Sequence, residues 1–215
     1  MNEKITRIAL KIKEGGKNVV FTGAGISTES GIPDYRSQGG IWDKFRPVYF
    51  DEFMASKESR VEYWRRWGEL YQGITKAEPN AAHLSLARLN EIGLLQAVVT
   101  QNIDGLHQAS GLPDEKIIEL HGNTCRTRCM SCRKISPTAK VQQRLKTGDP
   151  APQCECGGFL KPDTISFGQA MPVAEVEKSV TLSSQCDFFL IVGSTLVVQP
   201  AAQMPVYAKN NGAFL

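Results

Sequence analysis

The sequence contains no apolar run long enough to cross a membrane. Its longest, Phe188 to Val198, is broken by Gly193, Ser194 and Thr195 and falls short of the roughly 18 residues a span needs. Met1 to Lys13 carry Glu3, Lys4, Arg7 and Lys11 where a secretory signal needs an apolar segment. The chain therefore reads as a soluble, cytoplasmic protein with no membrane partner. Charge of one sign is also lacking: 25 Lys and Arg against 22 Asp and Glu leave +3. Nucleic-acid binding draws on a concentrated basic stripe, so no direct nucleic-acid partner is expected. The nearest cluster, Arg126, Arg128, Arg133 and Lys134, reads as a solvated face around a metal site. Histidine is scarce, with only His83, His107 and His121, and a base working near neutral pH has three candidate positions. Internal repeats and low-complexity tracts are absent, and a monomer is expected.

At 215 residues and 41% apolar content, the chain is large enough for one full core with a satellite module. Ile5 to Glu14 has helical spacing and stops at Gly15-Gly16, and Asn18 to Thr22 reads as a buried parallel strand. Gly39 to Gly73 reads as loops and short helices, with Trp64, Trp67, Leu70 and Tyr71 as a core stripe. Asn80 caps a helix reaching about Ile92, with Leu84, Ala87 and Leu89 as its inner face. Strands follow at Leu95 to Thr100 and Ile117 to Leu120. Cys125 to Gly158 loses this rhythm, which then resumes with a strand at Asp163 to Phe167, a helix at Val173 to Ser184, a strand at Asp187 to Val192 and a helix at Pro200 to Lys209. The alternation predicts an α/β fold, a Rossmann-like doubly wound parallel sheet. Residues 1–124 and 159–215 form the sheet domain, 40–78 a helical and loop segment, and 125–158 a small insertion.

Six cysteines in a cytosolic chain point to metal or catalysis ahead of disulfides. Cys129-x-x-Cys132 and Cys154-x-Cys156, 21 residues apart, suit a structural four-thiolate zinc site. The second pair lacks one spacer, and Gly157-Gly158 relaxes its turn. Cys125 competes as a ligand through Cys125-x-x-x-Cys129, whereas Cys186, ahead of a buried strand, reads as core.

Gly23-Ala24-Gly25 after the first strand lets backbone N–H groups approach a pyrophosphate. The complete G-x-G-x-x-G pattern is missing, and no acidic residue ends a second strand about 20 residues on. A glycine turn between strand and helix also has a purely structural reading. The continuation through Asp34, Tyr35, Arg36 and Ser37 reads as a lid able to neutralise phosphate. His83 and His107 read as packing residues. His121 follows a strand end, the edge where open α/β sheets bind ligands, and its imidazole suits proton transfer near neutrality. Asn102 and Asp104 make good turn chemistry after a strand, which does not exclude a second role.

Gly23 to Ser37, Thr100 to His107, Leu120 to Asn123 and Gly193 to Leu196 resemble, in order, the four signature blocks of the sirtuin family, and the likeness spans essentially the whole chain. It implies NAD-dependent removal of acyl groups, by default acetyl, from protein or peptide lysine, giving nicotinamide and O-acyl-ADP-ribose. The implied catalytic residues are His121, which takes a ribose hydroxyl proton, and Asn102, which orients the ribose or a water. The NAD contacts would be Gly23, Ala24, Gly25, Ser27, Asp34, Tyr35, Arg36, Gln101, Asn102, Ile103, Asp104, Gly193 and Ser194, with Ile103 and Asp104 holding the carboxamide. Ile165, Phe167 and Gly168 would pair with the substrate peptide. The chain departs from the family at Tyr35, usually phenylalanine, at the order Ser194-Thr195, and at Gln169, usually acidic. Tyr63-Trp64-Arg65-Arg66 resembles the tyrosine and arginine that some members use for acidic acyl groups, at a longer spacing. Gly212 to Leu215 reads as lying inside a further strand, which relatives continue. An NAD glycohydrolase or ADP-ribosyltransferase using the same pocket is the alternative, and a non-catalytic binding module the more distant one.

Overall fold

The computed structural model describes residues 3–44 and 46–215. In chain order its strands are β1 (Asn18–Thr22), β2 (Ala97–Thr100), β3 (Ile117–Glu119), β4 (Gly122–Cys129), β5 (Ile135–Pro137), β6 (Leu160–Thr164) and β7 (Phe188–Val192). Its α-helices are α1 (Glu3–Glu14), α2 (Ile41–Lys44), α3 (Phe50–Ala55), α4 (Lys57–Ile74), α5 (Ala81–Glu91), α6 (Leu106–Ala109), α7 (Thr138–Lys146), α8 (Val173–Gln185) and α9 (Met204–Asn210).

β1 and β2 are buried at every residue, so side chains of both parities must be apolar or paired, as Asn-Val-Val-Phe-Thr and Ala-Val-Val-Thr are. Alternation divides them between two faces. Val19 and Phe21 join Phe189, Met204 and Ala208 in one core, while Val20 and Val98 join Leu86, Ala87 and Leu95 in the other. Helices therefore cover both faces of a parallel sheet ordered β3-β2-β1-β7, the doubly wound arrangement expected. Phe214 forms a parallel bridge to Phe188, in keeping with a further strand position beside β7.

Asn80 caps α5 as expected, accepting from the Ala82 N–H at 2.9 Å, a cap worth about 1 kcal/mol. Its amide also donates to the Ile26 carbonyl at 2.7 Å, tying the helix to the glycine loop. The inner face of α5 is His83, Leu86 and Ala87, and Leu84 is exposed. The buried stripe follows i, i+3, i+4 spacing from a histidine, which aliphatic spacing alone misplaces.

The segment Cys125 to Gly158, read as breaking the strand and helix rhythm, holds most of β4 together with β5 and α7. With β6 its strands make an antiparallel sheet ordered β5-β4-β6, which runs from Gly122 to Thr164. A strand at Asp163 to Phe167 in the parallel sheet is corrected accordingly: the strand is Leu160–Thr164, antiparallel to β4. It ends where the Ile165 N–H turns to the His121 carbonyl at 2.9 Å. The expectation of short helices across Gly39 to Gly73 also fails at α4, whose 18 residues pack on the second sheet. Trp64 and Trp67 share a core with Cys129, Val141 and Leu160, and the Trp64 indole donates to the Leu160 carbonyl at 3.1 Å.

His83 and His107 are buried with ring centroids 5.1 Å apart, as packing residues. His107 Nε2 bonds Thr22 Oγ1 at 2.9 Å. Burial, and then the neighbouring His83, push the His107 ring down to about 3. An unfolded histidine near 6.5 binds a proton over the window in which the folded one does not, so stability falls as pH drops below about 6.5. We expect the urea-unfolding free energy to lose on the order of 2–3 kcal/mol from this group between pH 6.5 and 4.5. A His107→Gln variant should show a correspondingly flatter slope; equal slopes would remove His107 from the pH dependence.

Candidate active site

Four chain segments leave the ends of β1, β2, β3 and β7. Gly25 and Gly193 are pressed together there: the Gly25 N–H donates to the Gly193 carbonyl at 2.8 Å. A Cβ on Gly193, whose φ is 63°, would stand 2.1 Å from the Ile26 nitrogen. The contact itself demands glycine, so a structural reason for Gly23 and Gly25 coexists with any phosphate role. The Gly25 N–H, expected to face a ligand, is committed to this packing. The turn that follows, Ala24–Ser30, is a 3-10 helix.

Ser27, Asn102 and Asp104 form a buried polar chain. Ser27 Oγ donates to Asp104 Oδ2 at 2.7 Å and accepts from Asn102 Nδ2 at 3.2 Å. Asp104 Oδ1 takes the Leu106 N–H at 2.9 Å. Asp104 makes the turn expected of it with Oδ1, and Oδ2 is left to join Ser27. Gln101 Nε2 donates to Ser194 Oγ at 2.8 Å, joining the β2 and β7 segments.

His121 Nδ1 lies 3.0 Å from the Gln101 carbonyl. A carbonyl only accepts, so in the neutral ring Nδ1 carries the proton and Nε2 keeps its lone pair. Burial lowers the His121 pKa, and the Gln101 bond opposes that shift. Gly122 after it has φ 75°, and a Cβ there would meet the Asp163 carbonyl oxygen at 1.9 Å; only glycine lets β4 and β6 close behind the histidine.

His121 lines a cleft of about 550 Å³ together with Tyr35, Arg36, Gln101, Ile103, Ile165, Phe167 and Gly168. Asp34 holds the lid turn, accepting from the Arg36 and Ser37 N–H groups and the Ser37 hydroxyl. The Ser37 hydroxyl foremost lowers its pKa. Burial, then Asp104, raise the Tyr35 phenol, so it stays protonated. Gln169, in place of the usual acid, accepts the Ser166 N–H at 3.2 Å and closes the turn at Gly168. The cleft also includes residues the sequence reading missed: Trp42, Leu70, Met171 and Val198 to Pro200. Trp42 had a signal, a large aromatic two residues after a Gly-Gly pair at the lid; Leu70 read only as core, and Met171, Val198, Gln199 and Pro200 carried no signal. Tyr63 and Arg66 reach the same cleft, but Arg66 is engaged by Glu62 and by the Arg46 carbonyl.

The thiols of Cys129, Cys132, Cys154 and Cys156 lie within 4.8 Å of one another, and Cys125 is outside the cluster. The sulfurs of Cys129 and Cys156 are 3.5 Å apart and those of Cys132 and Cys154 3.8 Å. Tetrahedral zinc with bonds of about 2.3 Å needs sulfurs about 3.8 Å apart, so the residues fit a structural zinc. Gly157, at φ 81°, makes the tight turn that the single spacer requires. Cys186 is in the core.

A model of the Sir2 family matches residues 23–200. NAD-dependent protein deacetylase 1 of Bradyrhizobium diazoefficiens is 49% identical over 212 residues, covering 98% of this chain and 83% of its own. The NAD-dependent protein deacetylase of Thermodesulfovibrio yellowstonii is 45% identical over 215 residues, covering 100% of this chain and 83% of its own. A solved structure described as "Sir2-p53 peptide-NAD+" superimposes with a TM-score of 0.87 at 35% identity, covering 97% of this chain and 83% of that one.

Metal binding in a four-thiolate module is folding energy. The protein should contain about one zinc per chain by elemental analysis, and Cys132→Ser should lose the metal and lower the melting temperature by several degrees or more. Cys125→Ser should keep both. A metal-free protein with unchanged melting would sink the assignment.

Proposed function

The chain belongs to the Sir2 family, and we propose that it removes acyl groups, acetyl by default, from lysine side chains of proteins with NAD as co-substrate, giving nicotinamide and O-acyl-ADP-ribose. NAD supplies the electrophilic sugar carbon and the nicotinamide leaving group. The observation that carries the reading is the bond from His121 Nδ1 to the Gln101 carbonyl, which leaves Nε2 as the acceptor on a ring lining the cleft. His121 is thus the base for a ribose hydroxyl. A neutral imidazole is needed at the moment of proton removal, and burial keeps the ring uncharged below the usual histidine range.

Asn102, fixed by Ser27 and by its own N–H on Thr100 Oγ1 at 3.0 Å, orients the ribose or a water. Asp104 and Ile103 hold the carboxamide, with Ser27 as the partner that keeps Asp104 turned inward. Arg36, exposed at the lip, meets phosphate with Asp34 and Tyr35 shaping the lid, while Gly23, Ala24, Gly25, Gly193 and Ser194 form the floor, held by the Gly25 to Gly193 bond and the Gln101 to Ser194 bond. Ile165, Phe167 and Gly168, in the segment and turn that follow β6 along the cleft, receive the peptide. Residues 125–158 carry the four metal-binding thiols within the antiparallel sheet that runs from Gly122 to Thr164, and the parallel sheet binds NAD. In this reading the protein works as a cytoplasmic monomer on acylated proteins, without nucleic acid. The glycohydrolase or ADP-ribosyltransferase alternative puts water or another nucleophile in place of acyl-lysine in the same cleft.

Nicotinamide release should depend on acyl-lysine peptide; equal release without peptide would favour the alternative. His121→Ala should lower kcat by at least about a hundredfold with the melting temperature nearly unchanged. Because the folded pKa is lowered, the acid limb of kcat/KM should fall below pH 6.5, the ordinary histidine value. Wild-type turnover in the variant would exclude His121 as the base.

A further inference from the structure

Trp42 stands where two parts of the cleft meet. Its backbone N–H donates to the Tyr35 carbonyl at 3.1 Å. Its indole lies 5.1 Å from the Tyr35 ring and 5.6 Å from the Phe167 ring, tilted to both. Next to it, the Ile41 N–H donates to the Asp34 carbonyl at 3.0 Å. Phe167 is held from elsewhere by the Tyr49 ring at 5.8 Å and by the Phe50 N–H on its carbonyl at 2.9 Å. Among the described residues no hydrogen bond or ring pair joins residues 34–37 directly to 165–168. The indole is the bridge between them.

A side chain that only filled the core would be buried, as Trp64 and Trp67 are. Trp42 is half-buried and lines the cleft, so part of its surface faces whatever the cleft holds. We propose that Trp42 is a positioning residue that couples the two substrates. Nucleotide seated under the Tyr35 segment fixes the indole, the indole fixes Phe167 against the acyl-lysine peptide, and each ligand tightens the other. The coupling is reciprocal by linkage, and one tilted aromatic pair is worth roughly two- to tenfold in an equilibrium. The proposal rests on the functional reading above, which places NAD under Tyr35 and peptide beside Phe167.

Calorimetric titration of an acetyl-lysine peptide into the zinc-loaded full chain, with and without a non-hydrolysable carbocyclic NAD analogue, tests it. The unaltered chain should bind peptide about five- to tenfold more tightly when the analogue is present. Trp42→Ala should reduce that ratio below about twofold while binding the analogue alone within about threefold of the unaltered chain, with zinc content retained. Trp42→Phe, which keeps a ring between the two partners, should restore most of the ratio. Tyr49→Ala, whose ring pairs with Phe167 but not with Trp42, should weaken peptide binding and leave the ratio intact. A ratio of one in the unaltered chain, an unchanged ratio in Trp42→Ala, or an equal loss in Tyr49→Ala would overturn the proposal. Failure of the unaltered chain to bind either ligand would instead overturn the functional reading.

Discussion

In the parallel sheet Thr22 stands beside both Thr100 and Val192, and Thr100 beside Glu119. The four strands therefore stop at one level, and residues 23–27, 101–104, 120–121 and 193–194 emerge side by side. A one-residue slip in any strand would turn its following segment to the opposite face. The Gly25 to Gly193 bond, the Gln101 to Ser194 bond and the His121 to Gln101 bond each join two of these segments and would fail with such a slip. The site is consequently a property of the register first and of individual side chains second.

The strands and both sheet faces were legible because a strand buried on two faces is apolar in its middle, as Val19 to Phe21 and Ala97 to Val99 are, with the polar Asn18, Thr22 and Thr100 at the ends paired by hydrogen bonds. His83 and His107 were readable as packing residues, though aliphatic spacing did not place His83 on the inner face of α5. The second sheet was not. β4 reads Gly-Asn-Thr-Cys-Arg-Thr-Arg-Cys, where Thr124 and Thr127 are buried, Arg126 and Arg128 are half-buried, and the pairing to β6 shifts register between Asn123 and Thr127, so polarity and the shift together hide the two-residue period. Within the cleft, the motif residues were readable and the apolar wall was not. Met171 and Val198 are ordinary residues whose place depends on how separate elements approach one another.

The register alone does not hold the second sheet in place. α4 does that with Trp64 and Trp67, and at the base of the contact lies Lys161, fully buried. Its ammonium donates to the Thr164 carbonyl at 2.5 Å and faces the Tyr63 ring at 5.5 Å. Burying a lone ammonium costs several kcal/mol, and burial lowers its pKa. A hydrogen bond to a charged group returns about 1.5–3 kcal/mol, and a desolvated cation over an aromatic ring about 2 kcal/mol. The two gains approach the cost without clearly exceeding it. The bond ties Lys161 to Thr164, the last residue of β6 before the chain runs along the cleft.

Burial by itself does not distinguish a working histidine from a structural one. Burial pushes the rings of both His107 and His121 below the usual range, and both are bonded through one nitrogen. The difference lies in the partner and in the other nitrogen. His107 uses Nε2 on a threonine hydroxyl, and its Nδ1 is buried without a partner, enclosed where nothing can exchange a proton with it. His121 uses Nδ1 on a carbonyl, which fixes the tautomer, and its remaining nitrogen belongs to a ring that opens on the cleft. Proton chemistry needs both a defined tautomer and access, and of these two rings only the one at 121 has both.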